Sequence, residues 1–272
     1  MTTHQPTRDR YARLRSRLTD RDRAVLASLY QLRLLTSRQI QRLHLPDGSP
    51  VTRARRTRAL LQRLTELGVV VRLERTVGGV QPGSSAQVFG LSGRGLAVLN
   101  VQGMYGRRRR TVWETKPYFM QHVLSVAEVC VGLTEQCRDG AAELLTFDGE
   151  PAAWRRFTSG TGASVTLKPD GHVRVGIGDF ERSVFLELDM ASESLPTIER
   201  KCLAYVGYWR SGIEQRQHGV FPLVLWLVPN EERQRRLKAV TQSLVTEAHH
   251  LFAVALHGEG PTVLTAPVEA VV

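Results

Sequence analysis

The 272-residue sequence predicts two domains, an α+β domain in the first half and an α/β domain with a mixed sheet in the second. One observation is the uneven charge: residues 1–118 carry 23 Lys+Arg and 7 Asp+Glu, whereas residues 119–272 carry 14 and 19. Another is the order of periodic segments in the first half, which is three helices followed by two strands. The last is the alternation of helices and strands in the second half.

Residues typical of helix caps and helix breaks divide the first half into short elements. They are Thr19, Asp20, Thr36, Ser37, Pro50, Gly68 and Ser92. Their spacing predicts a helix to about residue 31, a short second helix, a third over 50–67 and a last short one ending at 99. VVVRLERTV and SAQVFGL predict two strands joined by a loop at 78–85. This order is typical of a winged helix-turn-helix, which we place at residues 18–102.

The third helix is predicted to be a recognition helix for double-stranded DNA. Arginine forms bidentate contacts with phosphate and guanine that lysine cannot match, and every cation before residue 118 except Lys116 is arginine. The residues expected to contact DNA are Thr52, Arg53, Arg55, Arg56 and Arg58 on this helix, and Arg72 and Arg75 on the hairpin. A winged helix can also be a protein-interaction module, and one that binds DNA often does so as a homodimer on two half-sites.

Basic segments lie on both sides of this domain. Residues 1–17 form an arginine-rich arm, either a disordered tail or an extra helix, and residues 103–118 form a linker containing four consecutive arginines. The linker is interpreted either as a flexible tether or as a strap that follows phosphates.

The second half, residues 119–272, predicts a mixed sheet covered by helices. Helices are expected at 122–137, 195–209 and 231–246, and strands at 143–147, 164–167, 172–177, 184–188, 222–228 and 251–256.

Carboxylates lie at the ends of two of these strands. Asp170 ends one strand candidate, Glu187 and Asp189 end the next on one face, and Lys201 follows on a helix. Three carboxylates in such positions could hold Mg²⁺, which can activate water for phosphoryl transfer, and Glu128 could add a fourth. The alternative is a set of surface carboxylates at strand ends.

Residues 121–228 resemble the PD-(D/E)XK nuclease fold. Asp170 matches the first Asp of its motif and Glu187 matches the second acid, but Asp189 stands where the motif has Lys. Lys201 would be a migrated lysine, as in some members of that superfamily. The resemblance implies Asp170, Glu187, Asp189 and Lys201 as catalytic residues of a Mg-dependent endonuclease, and the incomplete motif favours a weak or inactive site.

The chain also resembles the replication-relaxation family. The matching segments are DRDRAVLASLYQLRLLTSRQIQRL, RTRALLQRLTELGVV, FLELDMASES and ERKCLAYVGYWRSG, spread from residue 18 to about 230. This resemblance implies plasmid or mobile-element DNA metabolism, in replication or in relaxation of plasmid DNA. The winged helix leaves transcriptional control open as a further role.

Other features narrow the class of protein. The three cysteines form no CxxC pair, the N-terminus has no apolar core, and the longest apolar run is too short to span a bilayer. These features favour a cytoplasmic protein without membrane partners. Three functions remain open: duplex-DNA binding, DNA cleavage or nicking by the carboxylates, and recruitment of replication or conjugation enzymes as a non-catalytic adaptor.

Overall fold

A computed structural model describes residues 7–77, 86–100 and 117–267, with side chains described within 11–73, 87–100 and 119–267. The chain forms two compact units, residues 1–131 and 132–272, and a long helix crosses the division between them. The predicted class is confirmed at the level of a mixed α/β protein containing a five-stranded mixed sheet. Within the described ranges, no helix is both long and apolar enough to cross a membrane.

The first unit contains helices and a small antiparallel sheet of order β1-β3-β2. Its elements are α1 (Thr7–Ser16), α2 (Asp20–Leu32), β1 (Leu34–Thr36), α3 (Ser37–His44), α4 (Pro50–Glu66), β2 (Val70–Val77), β3 (Ala86–Leu91), α5 (Gly93–Leu99) and α6 (Pro117–Cys137), which continues into the second unit. Part of the basic arm is therefore helical. The predicted loop at 78–85 and residues 103–116 of the predicted linker lie outside the described residues.

Side-chain caps begin the three main helices of this unit. Thr19 and Thr36 each accept a hydrogen bond from the backbone of the third helical residue, whose own side chain bonds back to the cap. Ser49 caps α4 by accepting a hydrogen bond from the Thr52 backbone N–H, and Pro50 occupies the first helical position, where no intrahelical N–H partner is needed. These local bonds explain why the cap residues in the sequence located the helices correctly.

The first turns of α6 belong to the hydrophobic core of the first unit. Met120, Val123 and Leu124 pack with Leu34 of β1 and Val88 of β3. Helix α6 begins at Pro117, five residues before the predicted start at residue 122. Pro is favoured at a first helical position. Pro117 was not predicted as the helix start because the basic segment before it shows no periodic pattern.

The second unit is built on a five-stranded sheet of order β10-β9-β8-β7-β4. Its elements are β4 (Glu143–Gly149), β5 (Arg155–Thr158), β6 (Ser164–Leu167), β7 (Gly171–Ile177), β8 (Phe180–Leu188), α7 (Leu195–Ser211), α8 (Ile213–His218), β9 (Leu223–Val228), α9 (Glu231–Gln242), β10 (Phe252–Leu256) and α10 (Gly260–Thr265). Strands β8, β9 and β10 are parallel, whereas β4, β7 and β8 are antiparallel, and β5 and β6 form a separate hairpin.

Several predicted elements of this unit differ from the observed ones, among them the start of β8 at Phe180 and not at residue 184. Helix α9 ends at Gln242, not at 246, and a 3₁₀ helix over Thr246–Leu251 follows it. The strand at Arg155–Thr158 was not predicted, because its four residues, two of them arginines, show no clear alternation of apolar and polar side chains. Among the residues that the structure describes, that strand pairs with β6 alone, to which it is joined by a short turn.

A buried polar network joins the β5–β6 hairpin to the sheet and helices. Arg155 of β5 donates to Glu214 of α8 (Nε–Oε2 3.1 Å) and lies 3.2 Å from His172 Nδ1 of β7. Tyr208 of α7 also donates to Glu214, which is fully buried. Burial and the nearby Arg155 lower the pKa of His172 to about 4, so its ring is neutral at pH 7.

Candidate functional site

Helix α4 presents an exposed row of side chains on the side opposite its buried residues. Val51, Arg55 and Arg58 are spaced by four and three residues, so they lie above one another on one face, and all three are exposed. We call these three residues the α4 stripe. Thr57, Leu60, Leu61 and Leu64 form the buried face. The α4 stripe can therefore meet a ligand without disturbing the core.

Thr52 and Arg53, both predicted to contact DNA, have partners within the protein. The Thr52 hydroxyl accepts a hydrogen bond from Ser49 Oγ at 3.0 Å. Arg53 is half-buried and its Nη1 donates to the Pro46 carbonyl oxygen at 3.2 Å. Both residues hold the turn before α4 and thus fix where the helix begins.

The remaining predicted contact residues differ in position. Arg56 is exposed on the flank of α4, and Arg72 is exposed on β2. The backbone of Arg75 also lies in β2, but its side chain lies outside the described residues.

An ion pair fixes the far end of α4 to α2. Arg63 of α4 donates to the Asp22 carboxylate, which is fully buried and also completes the cap of α2 with Thr19. Burial opposes ionisation of Asp22, but the hydrogen bonds from Arg63 and Thr19 outweigh it and lower its pKa. A charged, paired Asp22 therefore sets the position of α4 relative to α2.

In the second unit, three of the four predicted catalytic residues come together at the ends of β7 and β8. Asp170 Oδ2 accepts a hydrogen bond from the Leu188 backbone N–H at 2.7 Å. Glu187 is buried; Tyr205 donates to its Oε1 at 2.7 Å, and Lys201 Nζ lies 3.6 Å from its Oε2. The charge of Asp170 acts on Glu187, so the two carboxylates are neighbours.

Asp189 has a different partner from the other predicted carboxylates. Arg233 of α9 donates to it through Nε at 2.5 Å and through Nη2 at 3.2 Å, and Arg233 also bonds the Glu193 carbonyl oxygen. The Asp189 side chain is buried. This bidentate pair uses both carboxylate oxygens and holds the end of β8 to α9.

The site does not fit Mg²⁺ as it stands. Among the described residues no group of three or more His, Cys, Asp or Glu side chains is arranged to hold a metal ion. Protein donors engage both oxygens of Asp189, and Tyr205 and Lys201 face those of Glu187. Mg²⁺ binds proteins through one or two carboxylates and keeps several of its waters, so it would have to displace these protein donors to reach the oxygens of Asp189 or Glu187.

Glu128 belongs to the first unit and has partners there. It forms an ion pair with Arg42 of α3, and Gln39 Nε2 donates to its Oε2 at 2.9 Å. Gln39 also donates to the Leu124 carbonyl oxygen at 3.0 Å. Glu128 therefore joins α6 to α3 within the first unit.

Sequence reasoning missed two residues that define these contacts, Glu193 and Arg233. Glu193 Oε2 lies 3.0 Å from Lys201 Nζ, so Lys201 contacts two carboxylates. Burial lowers the pKa of Lys201, but the charges of Glu187 and Glu193 outweigh that effect and raise it. The acidic residues that precede Lys201 in the sequence could have indicated its carboxylate partners. No sequence pattern indicated the pairing of Arg233 with Asp189, which is 44 residues away.

The ionisation of Glu187 should affect the stability of the second unit. Burial and the charge of Asp170 raise the pKa of Glu187 from its ordinary 4.5 to about 8, against the opposing effects of Lys201 and Tyr205. The folded state then binds the proton more tightly than the unfolded state, so this group lowers the free energy of unfolding as pH rises from 4.5 towards 8.

We expect Glu187→Gln to remove that part of the pH dependence, because glutamine resembles the protonated acid and cannot ionise. The measurement is the urea midpoint of the full chain at pH 5 and pH 8.5, with the exposed Glu232→Gln as control. An equal fall in midpoint for E187Q and the unmodified chain would show that Glu187 ionises normally.

Comparisons with known proteins identify one family. A family model described as Replication-relaxation matches residues 26–224, which is more than half of the chain and includes α4 and the carboxylate site. The comparison with curated proteins found no significant match, and neither did the comparison with solved structures.

Proposed function

We propose that this chain, which belongs to the replication-relaxation family, binds double-stranded DNA through the first unit. The observation that carries the proposal is the α4 stripe, where two arginines are exposed beside each other on a helix whose opposite face is buried. The biological setting that we propose is plasmid or mobile-element DNA replication or relaxation, or its transcriptional control.

The topology of the first unit supports this role. Helices α2, α3 and α4 are followed by the β2–β3 hairpin, and β1 adds a third strand between α2 and α3. That order is typical of a winged helix, in which the third helix enters the major groove with its N-terminal half. In this interpretation α4 is the recognition helix and Arg72 on β2 contacts the phosphates beside it.

Charge supports the same surface. Residues 1–118 hold 23 of the 37 Lys+Arg and 7 of the 26 Asp+Glu of the chain. A positive surface releases counterions when it neutralises phosphates, so binding should weaken steeply as salt is raised. Arg55 and Arg58 can each form a bidentate contact with guanine, which would add sequence preference to that electrostatic attraction.

The test is fluorescence anisotropy of a labelled duplex titrated with the full chain across a series of salt concentrations. We expect binding at about 50–100 mM salt and a linear fall of log affinity with log salt. Absence of binding in that window would contradict the proposal. The oligomeric state of the complex, measured on the same samples, tests whether two copies bind two half-sites.

We further propose that the second unit is a non-catalytic module with a nuclease-like arrangement of residues, which supports assembly or recruits replication or conjugation proteins. The convergence of Asp170, Glu187 and Lys201 supports the nuclease-like relationship. The ion pair of Asp189 with Arg233 and the engagement of Glu187 by Tyr205 support the absence of catalysis.

The alternative, a Mg-dependent endonuclease or nickase, is tested with supercoiled plasmid. We expect no conversion to nicked or linear DNA by the full chain with Mg²⁺ or Mn²⁺ beyond that of the D170A/E187A variant. Nicking by the unmodified chain that this double variant lacks would overturn the non-catalytic assignment and leave the DNA-binding proposal intact.

A further inference from the structure

We propose that Val51 contacts the 5-methyl group of thymine in the major groove and so sets a sequence preference of this chain. The inference rests on the proposed duplex binding and assigns a specificity-determining residue within it. Val51 is 79% exposed and shares the α4 stripe with Arg55 and Arg58. It lies in the first turn of α4, directly after Pro50.

The position of Val51 is not explained by folding. Its side chain points away from the buried face of α4, and valine is a weaker helix former than alanine because its branched side chain restricts χ1. The helix start is already fixed by Ser49 and Pro50. Isolated exposed apolar residues are common, so exposure alone would carry no role. Here the exposed valine lies in the same row as two exposed arginines, near the N-terminal end of α4. In a recognition helix, this is the end that contacts base edges.

The chemistry of the major groove provides one apolar partner for such a side chain. Each base pair presents hydrogen-bond donors and acceptors there, and only thymine adds a methyl group. Arg55 and Arg58 can read acceptors, whereas Val51 has no polar atom, and the apolar contact by which it can distinguish one base from another is with that methyl. Ala54 is also exposed on the first turns of α4, and it adds no polar group that would compete with Val51 for contact with the base.

The test uses a duplex selected from a randomised library by the full chain, together with the same duplex in which deoxyuridine replaces thymine. Deoxyuridine differs only by the missing methyl group. We expect this replacement to weaken binding by about three- to tenfold, as for loss of one buried methyl contact. The Val51→Ala variant should bind both duplexes equally and should unfold at the same temperature as the unmodified chain or slightly higher.

The matched control is Val220→Ala, which removes an exposed valine from the second unit and should keep the full difference between the two duplexes. Three results would each overturn the role of Val51 and leave duplex binding in place. They are equal binding of both duplexes by the unmodified chain, a selected site without thymine, and a difference in affinity between the two duplexes that persists in V51A. Failure to select any duplex would overturn the proposed function and this inference together.

Discussion

The R55A/R58A variant is expected to bind duplex DNA about 30-fold or more weakly than the unmodified chain, because a bidentate arginine contact with guanine is worth about 1–3 kcal/mol. Both side chains are exposed, so their removal should change the free energy of unfolding, measured by urea denaturation, by no more than about 0.5 kcal/mol. The measurement is anisotropy with one labelled duplex at a single salt concentration.

A charge-matched control separates the α4 stripe from net charge. Arg235 and Lys238 are exposed on α9 of the second unit, so R235A/K238A removes the same two charges from a different helix. We expect this variant to retain nearly all of its affinity. An equal loss in the two double variants would mean that general electrostatic attraction, and not α4, brings the chain to DNA.

The second large effect is expected from Asp189→Ala, which should lower the stability of the second unit by about 3–5 kcal/mol. The side chains of Asp189 and Arg233 are 2% and 11% exposed, so the substitution leaves a mostly buried guanidinium without its carboxylate. Tryptophan fluorescence during urea unfolding reports mainly on this unit, because three of the four tryptophans, Trp154, Trp209 and Trp226, belong to it.

An exposed ion pair in the same unit provides the comparison. Arg174 and Glu181 are each more than 40% exposed, and Glu181→Ala should cost about 1 kcal/mol or less. Replacement of both buried partners, as in D189A/R233M, should recover part of the loss because no buried charge remains. A D189A variant as stable as E181A would contradict a structural role for Asp189 and would return it to the candidate ligands.

The elements of the first unit were predictable because their determinants are local. Thr36 caps α3 by bonding a backbone group three residues away, and Ser49 with Pro50 begins α4 in the same way. Strand β1 was missed because its three residues, between two helices, are too few to show a period. It is a strand only because it pairs with β3, more than fifty residues later in the chain.

The candidate site was predictable only in part for a related reason. The sequence predicted that Asp170 ends the strand before β7. In the structure Asp170 lies directly before β7, and Glu187 lies near the end of β8, the antiparallel neighbour of β7, so the two residues meet at one edge of the sheet. The partners that decide what these carboxylates can do come from distant segments: Arg233 for Asp189 and Arg42 for Glu128. Side-chain pairing across such separations depends on tertiary packing. Neither the type of a residue nor its spacing from its neighbours in sequence identifies its partner.

Hydrogen exchange of the full chain, measured with and without a saturating duplex, tests directly whether α4 is the surface that meets duplex DNA. Exchange slows where binding restricts local opening of the backbone or excludes solvent. We expect added protection in peptides that cover Pro50–Glu66, with little change across Glu231–Gln242. Protection confined to the second unit, with α4 exchanging as in the free protein, would contradict it.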